Sequence, residues 1–595
     1  MAYSEQQRGT MPGDGLVWAI LGAAAVAALL TVGGILAGFI SGHEVLSGHH
    51  DLAGGVLALA HVHDPSLGWQ TAVGSAWAYW TVTIGVFVLV GAAAYAIRRR
   101  VVEHGRDEPI DVTKVKGLAE RGEIVRVAGA RALVARSATL RPSLAKPTAS
   151  QLGFRLGSSR NVECYSSVED SIVILGPPRS GKGHNLVIPM ILDAPGPVIS
   201  TSTRPKDAVT PTLGRRAQIG PVGVFDPQGL AHGVPSSLKW SPIRGCEQPQ
   251  TAMLRALALC SGAAEGVTEG EFWLNQTVTA VRCLLHAAAL DSRPPADLYR
   301  WSLSAPAASE AVNILSTTPG AARSWDRALD AIISADMRMR DNVWSMVASV
   351  FGALADPQVL AAVTPNADDE FDPVRFLRTN GTLYLLSTAA GASATVGLVA
   401  ALVEDVVETA RRLAAASPEA RLDPPLSLIL DEAANYPLPS LASLMSEGGG
   451  SGITTIAVLQ SLAQARDRWG VESAQAIWDS AIVKVILGGS SSASDMRDVS
   501  QLIGEREYQD VSMSTHSDGK RSTNRSTQRR DILEPANLRL LRQGHALLML
   551  RSARPILLEM RPWTARKDFA ELDQQKQHNE ASIRAGAISR WGNDA

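Results

Sequence analysis

A glycine-rich loop between a short apolar run and an apolar helix constrains this chain more than any other feature. The run Asp170–Gly176 is β-branched and apolar, and the stretch GPPRSGKG follows from Gly176 to Gly183. In such a turn the glycines let backbone N–H groups approach phosphate oxygens, and the lysine reaches the terminal phosphates. The dipole of the next helix points at the same charge. The predicted phosphate-binding residues are Gly176, Pro177, Pro178, Arg179, Ser180, Gly181, Lys182, Gly183 and His184.

One position of this loop departs from the general pattern. Where a Ser or Thr hydroxyl ordinarily ligates Mg²⁺, the chain has Gly183. The strand before the loop and the helix after it nevertheless favour a phosphate-binding loop over a chance match. The group that completes the Mg²⁺ shell stays open.

A phosphate-binding loop predicts a partner strand that ends in acid, and the sequence has one. The apolar run from Leu426 ends at Asp431 and Glu432. Asp431 is expected to hold Mg²⁺ through water, and Glu432 to orient or deprotonate the attacking water. The alternative is an ordinary strand with an acidic helix cap. A third apolar run, 452–460, ends at Gln460, which is either a sensor of the terminal phosphate or a plain strand-end glutamine.

Further runs predict a mostly parallel sheet covered by helices on both faces, with nucleotide at the strand carboxyl ends. The strands expected are 198–202, 222–225, 382–387, 481–487 and 546–550, with one short strand at 123–127. Between residues 225 and 382 the apolar residues recur at spacings of three and four residues, which indicates helices. A helical block of that length is too large for one crossover, so it reads as an inserted all-α domain.

Two uncharged segments near the start predict membrane spans. Residues 15–40 and 71–97 carry no charge, and each is longer than the ~20 residues that cross a bilayer as a helix. The second ends at Arg98-Arg99-Arg100, and the loop 41–70 has no Lys or Arg. The positive-inside rule therefore places that loop outside and both termini in the cytoplasm. A signal peptide fits less well, since the first run is too long.

The net charge of −2 gives no global sign of nucleic-acid binding, so any such contact needs a local basic patch. One candidate is 511–530, which contains Lys520 and four arginines and reads equally as a phosphate-binding loop or a surface hairpin. Arg131, Arg136, Arg141 and Lys146 are candidates for contact with anionic lipid, or belong to a solvated linker. The charged, Gln-rich end is expected to be a frayed tail.

At this point the chain resembles the type IV secretion coupling proteins, the TraG/TraD-type ATPases of conjugation. The loop GPPRSGKG looks like the form common in that family, where glycine after the lysine is tolerated. The other matching stretches are Val187–Pro189, Ile199–Asp207, Phe225–Gly229, Phe272–Gln276, Arg340–Pro357, Leu430–Pro439 and Leu459–Gly470. The likeness runs from the two N-terminal spans to the tail.

The resemblance implies a RecA-like P-loop NTPase domain with an inserted all-α domain, preceded by two transmembrane helices. It implies a homo-hexameric ring on the bacterial inner membrane that uses ATP and Mg²⁺. The ring would take a relaxase-bound single strand of DNA to a type IV secretion channel. Lys182 then matches the phosphate lysine, Asp431 the Mg²⁺ acid, Glu432 the catalytic acid and Gln460 the strand-end glutamine. Arg466 and Arg468 are the candidates for a subunit-bridging arginine.

Alternative functions remain open at this point. One is a motor of the same build that handles only protein effectors, and another is a substrate receptor that uses nucleotide as a switch. The acid pair argues against the receptor, because a pure switch needs no second acid. A double-strand translocase of the division type fits the long helical insertion poorly.

The predicted organisation is a membrane domain, a linker, a nucleotide-binding domain in two parts around the insertion, and a tail. In order, these cover residues 1–110, 111–155, 156–245, 246–375, 376–570 and 571–595, with 246–375 as the insertion.

Overall fold

The computed structural model describes residues 14–43, 52–104, 115–234, 238–262, 270–366, 368–387, 393–515 and 521–591. The chain divides into two compact units, Met1–Ile110 and Asp111–Ala595. Each unit is described by itself.

The first unit contains two long helices with two short helices between them. The helices are α1 (Asp14–Ile40), α2 (Leu52–Leu57), α3 (Pro65–Trp69) and α4 (Ala76–His104). Within the described residues, Gly22–Ile40 and Ala76–Ala96 are long and apolar enough to cross a membrane. Apolar side chains such as Val88 and Leu89 are exposed along α4.

A buried tryptophan joins the helices of the first unit. Trp69 is fully buried and donates a hydrogen bond to the Tyr79 hydroxyl at 3.0 Å. It packs against α1 at Gly34, where a Cβ atom would come within 2.2 Å of the Trp69 ring. The Trp69 ring therefore holds the short helices against α1 and α4. A residue larger than glycine at position 34 would displace this ring.

The second unit is built on one large sheet covered by helices. Before and at its first strands lie α5 (Arg121–Val127), α6 (Ala130–Val134), α7 (Ser137–Leu140), α8 (Ala149–Leu152), β1 (Gly153–Ser159), β2 (Val162–Ser167) and β3 (Ile172–Leu175). Next come α9 (Ile188–Asp193), β4 (Val198–Ser202), α10 (Pro205–Ala217) and β5 (Val222–Phe225).

A block of eight described helices separates β5 from the next strand of the sheet. They are α11 (Pro249–Leu259), α12 (Gly270–Leu290), α13 (Pro295–Ser302), α14 (Ser309–Thr317), α15 (Trp325–Ile333), α16 (Met337–Phe351), α17 (Pro357–Val363) and α18 (Pro373–Arg378). Trp301 and Trp344 are buried at its centre, where Trp344 donates to the Trp301 carbonyl at 3.3 Å. This is the inserted all-α part of the predicted fold.

The chain then returns to the sheet and completes it. The elements are β6 (Thr382–Leu386), α19 (Ser393–Ala415), β7 (Leu426–Leu430), α20 (Leu441–Glu447), β8 (Ile453–Leu459), α21 (Leu462–Trp469), α22 (Val471–Ser480), β9 (Val483–Leu487) and α23 (Ala493–Ile503). After these follow β10 (Glu505–Thr515), β11 (Arg521–Asp531), α24 (Pro535–Arg539), β12 (His545–Leu550), β13 (Ile556–Glu559) and α25 (Phe569–Trp591).

In the described residues the sheet has 11 strands in the order β2-β1-β13-β12-β9-β3-β8-β7-β4-β6-β5. The seven strands from β9 to β5 are parallel, and β12, β13, β1 and β2 extend the β9 edge antiparallel. The parallel strands are fully or nearly buried, which is why they read as continuous apolar runs. The predicted mostly parallel α/β sheet with an all-α insertion and two N-terminal candidate spans is confirmed.

Three local predictions were wrong. Residues 123–127 form part of helix α5 and not a strand, and the Ile124 side chain of this helix is buried. The charged C-terminal segment is not frayed over Phe569–Trp591 but forms α25. That helix packs on α10: Asn579 is buried and donates to the Thr210 carbonyl at 3.0 Å. Arg141 is buried and pairs with Asp423, so it is not available to lipid.

Candidate nucleotide site

The candidate site lies where four neighbouring parallel strands end. The order β3-β8-β7-β4 places their carboxyl ends side by side, and polar residues follow each of them. Gly176 follows β3, Gln460 follows β8, Asp431 follows β7 and Thr203 follows β4. A cavity of about 720 Å³ opens at this edge. Ligands bind at the carboxyl ends of strands in open α/β sheets.

The glycine-rich loop forms one wall of the cavity. The Gly176 amide donates to the Leu459 carbonyl at 3.0 Å, which fixes the start of the loop to the neighbouring strand. Gly181 has a φ of 87°, and a Cβ atom there would meet the Asn185 amide at 2.7 Å. The chain then enters a π-helical turn, Gly183–Val187, that leads into α9. The local sequence thus folds as a compact cradle at a helix start.

The predicted loop residues divide between the cavity wall and the layer behind it. Those that line the cavity are Pro178, Arg179, Gly181, Lys182, Gly183 and His184. Gly176, Pro177 and Ser180 do not line it. They shape the turn from behind, where Ser180 donates its backbone N–H to the Pro177 carbonyl at 3.3 Å. His184 lies beside Trp563, with its ring nitrogen 3.3 Å from the Thr564 hydroxyl.

Lys182 is held in the loop with its ammonium group ready for an anion. It is 9% exposed, and its Nζ donates to the Gly176 carbonyl at 3.3 Å. A buried ammonium with one carbonyl partner retains two donors for phosphate oxygens. The cavity is also lined by Asp431, whose carboxylate interacts electrostatically with Lys182. The two residues that the sequence assigns to phosphate and to metal therefore share one cavity.

Asp431 is a buried carboxylate that a cation would stabilise. It follows β7, where the Thr201 hydroxyl of β4 donates to its carbonyl at 2.9 Å. Burial raises the pKa of Asp431 to about 6, and nearby Glu432 and Asp207 act in the same direction. A bound divalent cation would reverse this effect, since positive charge favours the ionised carboxylate.

Glu432 is oriented by two amides. Its Oε2 accepts a hydrogen bond from Asn435 at 2.9 Å, and its Oε1 lies 3.4 Å from Nε2 of Gln460. Its backbone is left-handed, with a φ of 51°, a conformation that non-glycine residues rarely adopt and that occurs at functional sites. Gln460 itself does not line the cavity. Its side chain contacts Glu432, which does line the cavity.

The residues present fit a magnesium nucleotide. The cradle at Gly181 and the helix start supply backbone donors, and Lys182 supplies a cation for the phosphates. In the described residues no three His, Cys, Asp or Glu side chains converge to ligate a metal directly. A Mg²⁺ ion suits this arrangement, because it keeps several waters and binds through one or two carboxylates and the phosphates.

Sequence reasoning missed several residues of the cavity wall. Thr203, Arg204, Lys206 and Asp207 line it after β4, and Trp563 and Lys576 line it from the C-terminal region. The segment 199–207 was noted as a motif, yet only the adjacency of β4 and β7 brings it to the site. No sequence signal places the distant Trp563 there.

The arginine candidates lie on α21, after Gln460. Arg466 donates to Asp495 at 3.2 Å, and this fully buried carboxylate also accepts from the Leu462 amide at 2.9 Å. Arg466 therefore has a partner within its own chain. Arg468 also has an interaction in the structure.

The described parts of the basic segment, 511–515 and 521–530, belong to the paired antiparallel strands β10 and β11. Lys520 lies outside the described residues. At the described base of the hairpin, the Arg530 guanidinium lies 4.9 Å from the Tyr508 ring centre. The hairpin form is present, and phosphate binding by it stays a prediction.

The fold and the loop first define the class: this chain has the RecA-like fold of P-loop NTPases. Within that class, residues 425–543 match the family model described as the TraM recognition site of TraD and TraG. That match covers Asp431, Glu432 and Gln460. A search of curated protein sequences finds no match.

The solved structures that resemble the chain include the bacterial conjugative coupling protein TrwB. Its unbound form is 19% identical, with a TM-score of 0.52 over 68% of this chain and 88% of that one. TrwB with the GTP analogue GDPNP is 18% identical, with a TM-score of 0.50 over 68% and 89%. TrwB with ADP and Mg²⁺ is 19% identical, with a TM-score of 0.50 over 69% and 91%. These likenesses establish the fold. With the family match, they confirm the predicted resemblance to type IV coupling proteins.

Proposed function

We propose that this chain is a membrane-anchored ATPase that couples relaxase-bound single-stranded DNA to a type IV secretion channel and drives its transfer. The observation that carries the proposal is the shared cavity of Lys182, Asp431 and Glu432 at the carboxyl edge of a RecA-like sheet. A nucleotide switch alone has no use for an oriented acid such as Glu432.

The relatives support the choice of ligands. TrwB has been solved with a GTP analogue and with ADP and Mg²⁺. We infer that ATP and Mg²⁺ bind at the corresponding cradle of this chain, at residues 176–184. Asp431 would hold the ion through water.

The chemistry then follows from the positions of the side chains. Bound magnesium would neutralise the charge that develops on the phosphates. Lys182 binds the terminal phosphate oxygens, and the amides at the start of the π-helical turn bind the others. Glu432 is positioned to take a proton from the attacking water, and Asn435 and Gln460 fix its two oxygens. General-base catalysis of this kind contributes about 10²–10⁴-fold.

The partners and location are part of the same proposal. The family model over 425–543 concerns recognition of TraM, which supports a docking role toward the DNA-processing complex. The two candidate spans, Gly22–Ile40 and Ala76–Ala96, would anchor the chain in the bacterial inner membrane with the bulk in the cytoplasm. We further propose a homo-hexamer in the assembled state, with lipids around the spans.

The test is ATP hydrolysis by the full chain in detergent, with and without single-stranded DNA and with Glu432→Gln alongside. We expect DNA to stimulate hydrolysis and the variant to abolish most of it. Hydrolysis that depends on Glu432 but is not stimulated by DNA would favour a motor that handles protein effectors. Nucleotide binding without hydrolysis, in an assembled ring on DNA, would contradict a motor and leave a receptor.

A further inference from the structure

Gly183 has no side chain at the loop position where a Ser or Thr usually supplies a ligand for Mg²⁺. A hydroxyl at this point of the loop is the usual protein ligand of Mg²⁺. A Cβ atom added at Gly183 would meet no atom within 4 Å, so the space beside it is open. Steric crowding therefore does not explain the glycine. Another group on the cavity wall can take over the role of the hydroxyl.

Asp207 lines the same cavity as the glycine-rich loop. It belongs to the first turn of α10, which follows β4, and it lines the same cavity as Lys182 and Gly183. Its carboxylate is half-buried. In the described part of the chain it has no ion pair within 4.0 Å and accepts no hydrogen bond. A carboxylate in that state has lost part of its hydration without a fixed partner in return.

The charged residues that act on Asp207 include the predicted site residues Lys182 and Glu432. Burial raises the pKa of Asp207, and the negative charge of Glu432 acts in the same direction. The positive charges of Lys206, Arg204 and Lys182 act in the opposite direction. Asp431 in turn responds to Asp207. The cavity is also lined by the basic residues Arg179, Arg204, Lys206 and Lys576, so nucleotide phosphates meet positive charge there even without a metal ion. Asp207, Asp431 and Glu432 are the carboxylates that a divalent cation would find in the same cavity.

We propose that Asp207 is a second carboxylate of the magnesium site, holding waters of the ion that a Ser or Thr hydroxyl would otherwise replace. This rests on the proposed nucleotide-binding function. Groups that bind the waters of a metal ion affect its affinity by about 10–100-fold. The competing role is that of an acid that complements the α10 helix dipole and has nothing to do with magnesium.

The experiment measures binding and not turnover. The full chain in detergent is titrated with a fluorescent ADP derivative in EDTA, and then with Mg²⁺ at a fixed nucleotide concentration. For Asp207→Asn we expect an apparent Mg²⁺ affinity about 10–100-fold weaker. Nucleotide affinity in EDTA should be unchanged or tighter, because one repelling charge is gone. Binding in EDTA also shows that the variant is folded.

Two further variants sharpen the test. Asp326→Asn is the matched control, since Asp326 is a half-buried acid in the first turn of α15, away from the cavity. It should leave the Mg²⁺ titration unchanged. Adding Gly183→Ser to Asp207→Asn should restore Mg²⁺ affinity in part, because the hydroxyl has room there.

The outcomes separate this inference from the proposed function. If the wild type binds the magnesium nucleotide and Asp207→Asn does so with the same Mg²⁺ affinity, the inference is wrong. It is also wrong if the variant weakens nucleotide binding equally in EDTA and in Mg²⁺. If the wild type binds no nucleotide under either condition, the proposed function itself fails.

Discussion

Nε2 of Gln460 lies 3.4 Å from Oε1 of Glu432, so the amide at the end of β8 contacts the acid that follows β7. The second oxygen of Glu432 accepts from Asn435 at 2.9 Å. Two adjacent parallel strands and the turn after one of them therefore fix this carboxylate. The long contact to Gln460 is the one that a bound nucleotide can tighten, since catalytic hydrogen bonds are often long before ligand binds.

Replacing Gln460 by Ala should reduce ATP turnover with little change in nucleotide affinity. Gln460 does not line the cavity, so it acts through the orientation of Glu432. We expect kcat to fall by about 10-fold or more, within the range that general-base catalysis contributes. Steady-state kinetics and nucleotide titration measure the two effects. Unchanged kcat would mean that Glu432 needs no help from β8.

Replacing Lys182 by Ala should weaken transition-state stabilisation. Loss of one preorganised donor to a developing charge costs about 10²–10³-fold in kcat. Lys484→Ala is the matched control, because Lys484 is a half-buried lysine on β9 that donates to a backbone carbonyl. The control should hydrolyse ATP normally. Wild-type turnover in Lys182→Ala would refute the assigned site.

Replacing Asp431 by Asn should stabilise the nucleotide-free protein above pH 6. Because the pKa of Asp431 is about 6 in the folded protein and the ordinary value for an aspartate is 3.8, the folded state binds more protons than the unfolded state between these two pH values. The free energy of unfolding therefore falls as pH rises through this window. Asp431→Asn has no carboxyl group to titrate at this position, so its free energy of unfolding should not fall in this way. The difference in free energy of unfolding between the variant and the wild type should therefore grow by on the order of 2–3 kcal/mol from pH 4 to pH 7.

Denaturation midpoints of the Asp431→Asn variant and the wild type, measured from pH 4 to pH 8, check this. The two should approach each other near pH 4 and separate by pH 7. A difference that does not depend on pH would show that Asp431 titrates normally. Magnesium nucleotide should stabilise the wild type more than the variant, because the ion favours the ionised carboxylate.

Replacing Leu572 by Ala should destabilise the second unit. Leu572 is 1% exposed and packs in a cluster with Ile188, Leu192 and Trp563. Truncation of a buried leucine to alanine costs about 2–5 kcal/mol. Gln577→Ala, at an exposed position of the same helix, is the control. Equal denaturation midpoints for the two variants would mean that α25 is not docked in solution.

The sequence predicts the strands of the site well because they are buried on both faces. The strands β3, β7 and β8 are short apolar runs that end in glycine, acid and amide, and that pattern is visible without any partner. Of the antiparallel extension, only β12 was predicted, as the run 546–550. β1 and β2 carry Gly, Ser and charged residues, and they are recognisable only once β13 pairs with β1 and β1 pairs with β2.

The remaining errors have the same origin in tertiary contacts. Helix α25 is polar along most of its length, and only residues such as Leu572 and Asn579 are buried. No continuous apolar stripe marks it in the sequence. Asp207 stood in a recognised motif, but its place in the cavity depends on the adjacency of β4 and β7.

The most direct test of a DNA-driving ATPase is displacement of streptavidin from the end of a biotinylated single strand by the full chain. The account predicts displacement with ATP by the wild type. It predicts no displacement by the wild type with a non-hydrolysable analogue and none by Glu432→Gln with ATP. In both cases the protein should still bind the nucleotide and the DNA. Displacement that persists in the variant, or hydrolysis stimulated by DNA without any displacement, would contradict it.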